Sequence, residues 1–189
     1  NYIESVWHLL KLLSDEDLLY KGSTIQPYSP AAGTGLSSHE LNQPGTYKPV
    51  KDTSVVAQFK VKRDASSEFL FKDAFGEVFI LAWTTTPWTL PSNCALTVGP
   101  KLEYVRVKTF NPYTHAPQTV VLAKARLGAY FHEKNQDAGF DGHQHDGKNI
   151  PWTITGEFFG HQLEGVRYEQ LLPYATPDGG DAFKVIGGD

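Results

Sequence analysis

The 189-residue chain predicts a mainly β domain with few helices, of a β-barrel-like kind. Two observations carry that expectation. From residue 54 the apolar residues alternate with polar ones at period two, and short β-branched or aromatic runs recur between Gly, Pro and Asn turns. The regular alternation of strand and helix that marks a nucleotide-binding sheet is missing. With 40% hydrophobic and 13% aromatic residues, one ordinary domain with an appendage can bury a true core.

The N-terminal part reads differently. Ile3, Val6, Trp7, Leu10 and Leu13 fall at helical spacing over residues 2–13, with Glu4, Ser5, His8 and Lys11 on the other side. Tyr20-Lys21-Gly22 turns the chain into an extended segment. Residues 27–47 are rich in Pro, Gly, Ser and Asn and predict an irregular ribbon. Two regions follow: 1–47, a helix and ribbon, and 48–189, the β domain.

Within the β domain, Val55, Ala57, Phe59 and Val61 face one way on a half-buried strand. Glu68–Phe71 and Glu77–Thr84 predict a hairpin turning through residues 72–76. The second of these is apolar on both faces, which predicts a central position. Ala95–Val98, Tyr104–Lys108 and Thr119–Leu122 are further strands, and Ala123–Phe131 favours helix. Residues 135–149 are polar and glycine-rich, as an exposed loop would be. Trp152–Thr155, Phe158–Phe159 and Val166–Tyr168 complete the strand-like pieces.

The net charge of −4 gives no global case for nucleic acid. Lys48, Lys51, Lys60, Lys62 and Arg63 form either a local phosphate-facing patch or a solvated strand face. The single cysteine, Cys94, excludes an internal disulfide and favours a reducing compartment, with a small buried side chain the expected role. No apolar run reaches the roughly 18 residues of a membrane span. The start has no signal-peptide pattern, and without any Met the sequence is expected to be a piece of a longer protein.

Nucleophile-elbow, phosphate-loop and dinucleotide signatures are missing. His143-Gln144-His145, between Asp141 and Asp146, is the one metal-like cluster. Its glycine-rich setting suits a solvated loop tip better than a zinc site, which needs a rigid frame. What remains is WTTTPWTLP at 83–91, beyond the most apolar strand. Its hydroxyls can bind a ribose, hold a water or stabilise a developing oxyanion. Pro87 and Pro91 fix the backbone that aims them, and Trp88 is either a core plug or a stacking face. β-branched residues also simply suit strand ends, so both readings stand on the pattern alone.

The stretch VFILAWTTTPWTLPSNCALTVG at 78–99 resembles the threonine-rich editing motif of isoleucyl-tRNA synthetases, which are class I aminoacyl-tRNA synthetases. Residues 20–59 resemble the segment leading from the synthetic core of that family into its inserted editing domain, and 156–174 resemble a later part of the same domain. The related valyl and leucyl enzymes carry Thr-Thr-Arg-Pro where this chain has Thr-Thr-Thr-Pro. The resemblance implies a β-barrel-like editing domain that hydrolyses valine wrongly attached to tRNA(Ile). One methylene is worth only about 1–3 kcal/mol in an apolar pocket, a general value for which this family is the usual illustration. A second site that isoleucine is too large to enter makes up the difference.

Carried over residue by residue, Thr85 is the main hydroxyl, placing the water or the ester. Thr84, Thr86 and Thr89 line the pocket, Trp88 packs near the terminal adenosine, and Asn93 holds the loop or contacts substrate. The resemblance implies no metal or cofactor in this domain, although the parent enzyme uses ATP with Mg. It implies the 3′ end of tRNA(Ile) carrying valine and the rest of the synthetase as partners, no membrane, and a cytoplasmic location. The family's acidic second motif is expected just after Gly187-Gly188-Asp189, so the fragment alone is expected to be poorly active. The alternative is a non-catalytic, tRNA-binding or structural insertion; a metal-dependent hydrolase built on His143 and His145 is a distant third.

Overall fold

The structure, a computed structural model, describes residues 1–141 and 149–188. The His143-Gln144-His145 cluster lies outside the described residues. Two compact units are distinguished, Asn1–Lys51 and Asp52–Asp189.

In the first unit, helix α1 (Tyr2–Asp15) follows the amphipathic pattern, yet none of its residues is buried. The ribbon contains a minimal antiparallel pair, β1 (Tyr28–Ser29) with β2 (Thr34–Gly35). One helical turn, α2 (Ser38–Leu41), follows. It is started by a capping box: the Ser37 hydroxyl accepts from the Glu40 N–H, and Glu40 accepts from the Ser37 N–H at 2.7 Å.

The second unit is built on a five-stranded mixed sheet. β3 (Val55–Lys60) runs antiparallel to β4 (Glu77–Thr84), with Ala57 opposite Ala82 and Phe59 opposite Ile80. Helix α3 (Glu68–Phe71) lies between them in sequence. β5 (Ala95–Val98) leaves this sheet and pairs in parallel with the last strand, β9 (Lys184–Gly187). β6 (Glu103–Phe110) lies between β7 (Pro117–Ala123) and β8 (Trp152–Phe159), antiparallel to both. β7 in turn runs parallel to β4, giving the order β3-β4-β7-β6-β8. Strands dominate as the sequence predicts. Among the described residues the sheets stay open, without closing into a barrel.

Alternation along the strands builds two cores. Ala57, Phe59, Val78, Ile80 and Val121 face Leu96, Val98, Leu163, Val166, Tyr168 and Val185. On the other face Val105, Val107, Val120, Leu122 and Trp152 pack with Phe79, Leu81, Leu127 and Phe131. β4 contributes to both, and it does sit inside the sheet. Buried Arg106 is tolerated because its guanidinium donates to the Thr155 hydroxyl and to the Thr155 and Phe69 carbonyls.

Several elements depart from the sequence expectation. Glu68–Phe71 is the short helix α3 and not a hairpin strand, because Asp64 Oδ1 accepts from the Ser66 and Ser67 N–H groups and turns the chain. Leu70 then drops fully into the core. The two pieces read at 152–155 and 158–159 are one strand, β8, with a register shift opposite Arg106/Val107. Val166–Tyr168 makes only isolated bridges, Val61 with Tyr168 and Arg167 with Lys184. The stretch from Lys124 is a 3₁₀ turn followed by helix α4 (Leu127–Tyr130).

Candidate functional site

Thr84 ends β4 opposite Val55, and the chain then leaves the sheet. Pro87 opens a 3₁₀ helix over Pro87–Ser92, with Thr86 before it and Asn93 after it. The proline suits the first position because its missing N–H would have no partner there. Leu90 packs against the core and anchors this turn.

The threonines divide into two kinds. Thr84, Thr86 and Thr89 form a chain of hydroxyls, with Thr84 Oγ1 at 3.3 Å from Thr86 Oγ1 and the latter at 3.4 Å from Thr89 Oγ1. Thr84 Oγ1 also accepts from the Thr86 N–H at 3.0 Å, and the Thr89 hydroxyl donates to the Thr86 carbonyl at 2.8 Å. These bonds shape the turn. Thr85 is exposed, and its hydroxyl bonds to none of the described residues.

Beside the turn lies a cavity of about 440 Å³. Phe59, Ala82, Leu90 and Leu96 give it apolar walls, and Thr84, Thr89, Ser92 and Asn93 give it polar ones. Thr85, Thr86 and Trp88 are not among its lining residues. Trp88 is 66% exposed on the 3₁₀ helix, so its ring is a surface face and not a core plug. Trp83, 57% exposed at the end of β4, borders the cavity as well. A larger cavity of about 680 Å³ opens on the opposite face of the sheet, by Gln58, Leu81 and Val120, away from the threonines.

Asn93 is half-buried and fixed at both ends of its amide. Its Nδ2 donates to the Ala95 carbonyl at 2.9 Å, and its Oδ1 accepts from the Tyr168 hydroxyl at 2.7 Å. Tyr168 has no accessible surface, and burial, with the neighbouring Cys94 thiol as a lesser cause, pushes its pKa up to about 12. Sequence reasoning missed Tyr168 and the role of Phe59 in the cavity wall, since neither neighbours the loop in sequence.

One sequence reading of this region is corrected. Cys94 is exposed and not buried, because it sits in the short link between the 3₁₀ helix and β5. In the basic cluster, left open as a phosphate-facing patch or a solvated strand face, Lys60 pairs with Glu77 at 2.5 Å and Arg63 with Glu68 at 2.6 Å, both at the surface. Among the described residues no group of three His, Cys, Asp or Glu is placed to hold a metal, and no helix is long and apolar enough to cross a membrane.

No protein-family model matches the chain. The isoleucine–tRNA ligase of Cytophaga hutchinsonii is 59% identical over 189 residues, and that of Bacteroides fragilis 55% over 188. The isoleucine–tRNA ligase of Clostridium tetani is 41% identical over 189 residues. The crystal structure of GlLeuRS-CP1 matches with a TM-score of 0.48 at 14% identity, over 71% of this chain and 47% of that one, a likeness too low to carry functional weight. The sequence matches are to aminoacyl-tRNA synthetases. Over its whole length the chain is similar to a segment of these isoleucine–tRNA ligases. It spans 15–16% of the length of these relatives.

Proposed function

We propose that this chain is the editing domain of an isoleucine–tRNA ligase and that it hydrolyses valine misattached to tRNA(Ile). The observation that carries the reading is the contrast within the threonine run. Thr84, Thr86 and Thr89 spend their hydroxyls on holding the turn, whereas the Thr85 hydroxyl is left for a ligand. A water oriented by such a hydroxyl attacks the ester carbonyl carbon; the bond from that carbon to the ribose oxygen breaks, giving free valine and tRNA. No side-chain nucleophile enters this scheme, in keeping with hydrolysis by positioning and dipoles. The apolar walls from Phe59, Ala82, Leu90 and Leu96 suit a small aliphatic side chain, and the exposed Trp88 ring suits the terminal adenine. Asn93 holds the exit of the loop. The parent enzyme, in the cytoplasm, would join isoleucine to tRNA(Ile) with ATP and Mg.

The test is deacylation of valine-charged tRNA(Ile) by the full-length parent enzyme. The wild type is expected to hydrolyse it, and Thr85→Ala to do so roughly ten- to a hundredfold more slowly or with relaxed selectivity. Undiminished, valine-selective hydrolysis by that variant removes Thr85 from the reaction. A wild-type parent that binds the tRNA without hydrolysing it favours a non-catalytic, tRNA-binding insertion instead.

A further inference from the structure

One of the two ties on Asn93 comes from far along the chain. Tyr168 reaches it from the segment after β8, and the whole tyrosine is packed in place. Phe59 meets its ring edge-on at 5.2 Å between centroids, and Phe183 does so at 6.1 Å. The backbone closes the same corner: the Tyr168 N–H donates to the Phe183 carbonyl at 3.0 Å, and the Phe183 N–H donates to the Cys94 carbonyl at 2.7 Å. Phe183 adopts φ +61°, a left-handed conformation uncommon for a bulky residue and held here by these contacts. The residue after Asn93 is therefore braced by Phe183, and Asn93 itself by Tyr168.

We propose that Tyr168 is a positioning residue for ester hydrolysis: its buried hydroxyl fixes Asn93 and, through it, the exit of the threonine turn and one wall of the 440 Å³ cavity. The proposal rests on the editing reading above. The geometry gives it a specific route. Asn93 follows the 3₁₀ helix directly, and its N–H donates to the Leu90 carbonyl at 3.1 Å. Leu90 and Thr89 are on that helix, and the Thr89 N–H donates to the Thr86 carbonyl at 3.0 Å. A shift of Asn93 thus passes along the turn to the residues on either side of Thr85. Removing the phenol oxygen leaves Asn93 Oδ1 half-buried without that donor, and the bond from Nδ2 to the Ala95 carbonyl then holds the side chain from one end of its amide.

The experiment uses the full-length parent enzyme and valine-charged tRNA(Ile), with single-turnover hydrolysis followed at saturating and sub-saturating enzyme. Tyr168→Phe keeps the ring and its packing. It is expected to lower the saturating rate constant about tenfold, the worth of one buried hydrogen bond. The half-saturating concentration is expected to stay within about twofold, because the contacts with tRNA are untouched. Isoleucine charging stays at the wild-type rate. Asn93→Ala, which removes the acceptor of the same bond, is expected to show the same loss, and adding Tyr168→Phe to it to cost less than about twofold more. Wild-type hydrolysis by Tyr168→Phe overturns the proposal, as does a loss that multiplies in full with that of Asn93→Ala. A loss seen only as a lower melting temperature, with hydrolysis by the folded enzyme intact, also overturns it. If Tyr168→Phe fails to fold, Asn93→Ala decides alone, and wild-type hydrolysis there overturns the proposal. A wild-type enzyme that does not hydrolyse the ester overturns the editing reading and this proposal together.

Discussion

A phenol deprived of water holds its proton longer than one in the unfolded chain, and Tyr168 shows the consequence for stability. Its ordinary pKa of 10.0 is raised to about 12 in the fold, by burial first and by the Cys94 thiol second. Between pH 10 and 12 the folded state keeps a proton that the unfolded state has lost. The contribution is therefore complete below pH 10 and disappears as pH rises through 12. Denaturant unfolding at a series of pH values should show stability falling over this window, with a visibly shallower fall in Tyr168→Phe. Equal alkaline slopes in the two proteins would show that the phenol is not the group responsible. At this scale the site was only partly legible. The hydroxyl cluster after a strand could be read from WTTTPWTLP, because strand end, prolines and threonines are neighbours in sequence. The split between bonded and unbonded threonines could not, since it depends on how the 3₁₀ turn folds back on Thr84. The tie from Tyr168 to Asn93 had no sequence signal, and Cys94 was misread because its exposure depends on the path of a two-residue link.

At the scale of elements, the start of β4 carries a close approach that only glycine permits. Gly76 has φ +75°, and a Cβ there would stand 2.0 Å from the Pro117 carbonyl oxygen. This lets Glu77 begin β4 beside Gln118, so that the parallel pairing with β7 starts in register. Gly76→Ala is expected to cost more than about 1 kcal/mol, from the left-handed backbone and the clash together. The measurement is a urea midpoint at unchanged m-value, and an unshifted midpoint would mean the loop relaxes freely. The central place of β4 was legible, because a strand apolar on both faces must be covered on both. Glu-Phe-Leu-Phe at 68–71 was not, because four residues are too few to separate period two from helical period. What decides it is the Asp64 carboxylate upstream, which caps the turn. β9 went unseen because its partner β5 is parallel and distant, and no local turn announces such a pairing.

For the whole molecule, the balance of burial differs sharply between the two units. Every residue of both hydrophobic cores lies between Ala57 and Val185, within the second unit. Helix α1 buries none of its residues, and Ile3 and Trp7 are 69% and 67% exposed. The charges follow the same division: Lys60, Arg63, Lys124, Arg167 and Lys184 all pair with carboxylates of the second unit. Exposed pairs of this kind add little each, so the second unit stands on its cores. A chain of residues 52–189 should therefore unfold cooperatively, with a denaturant midpoint equal to that of the 189-residue chain. Since the slope m follows the surface exposed on unfolding, it should be nearly the same in both, because the first unit has little buried surface to expose. A stability lower by more than about 1 kcal/mol in the shortened chain would overturn the division into two units as a description of stability.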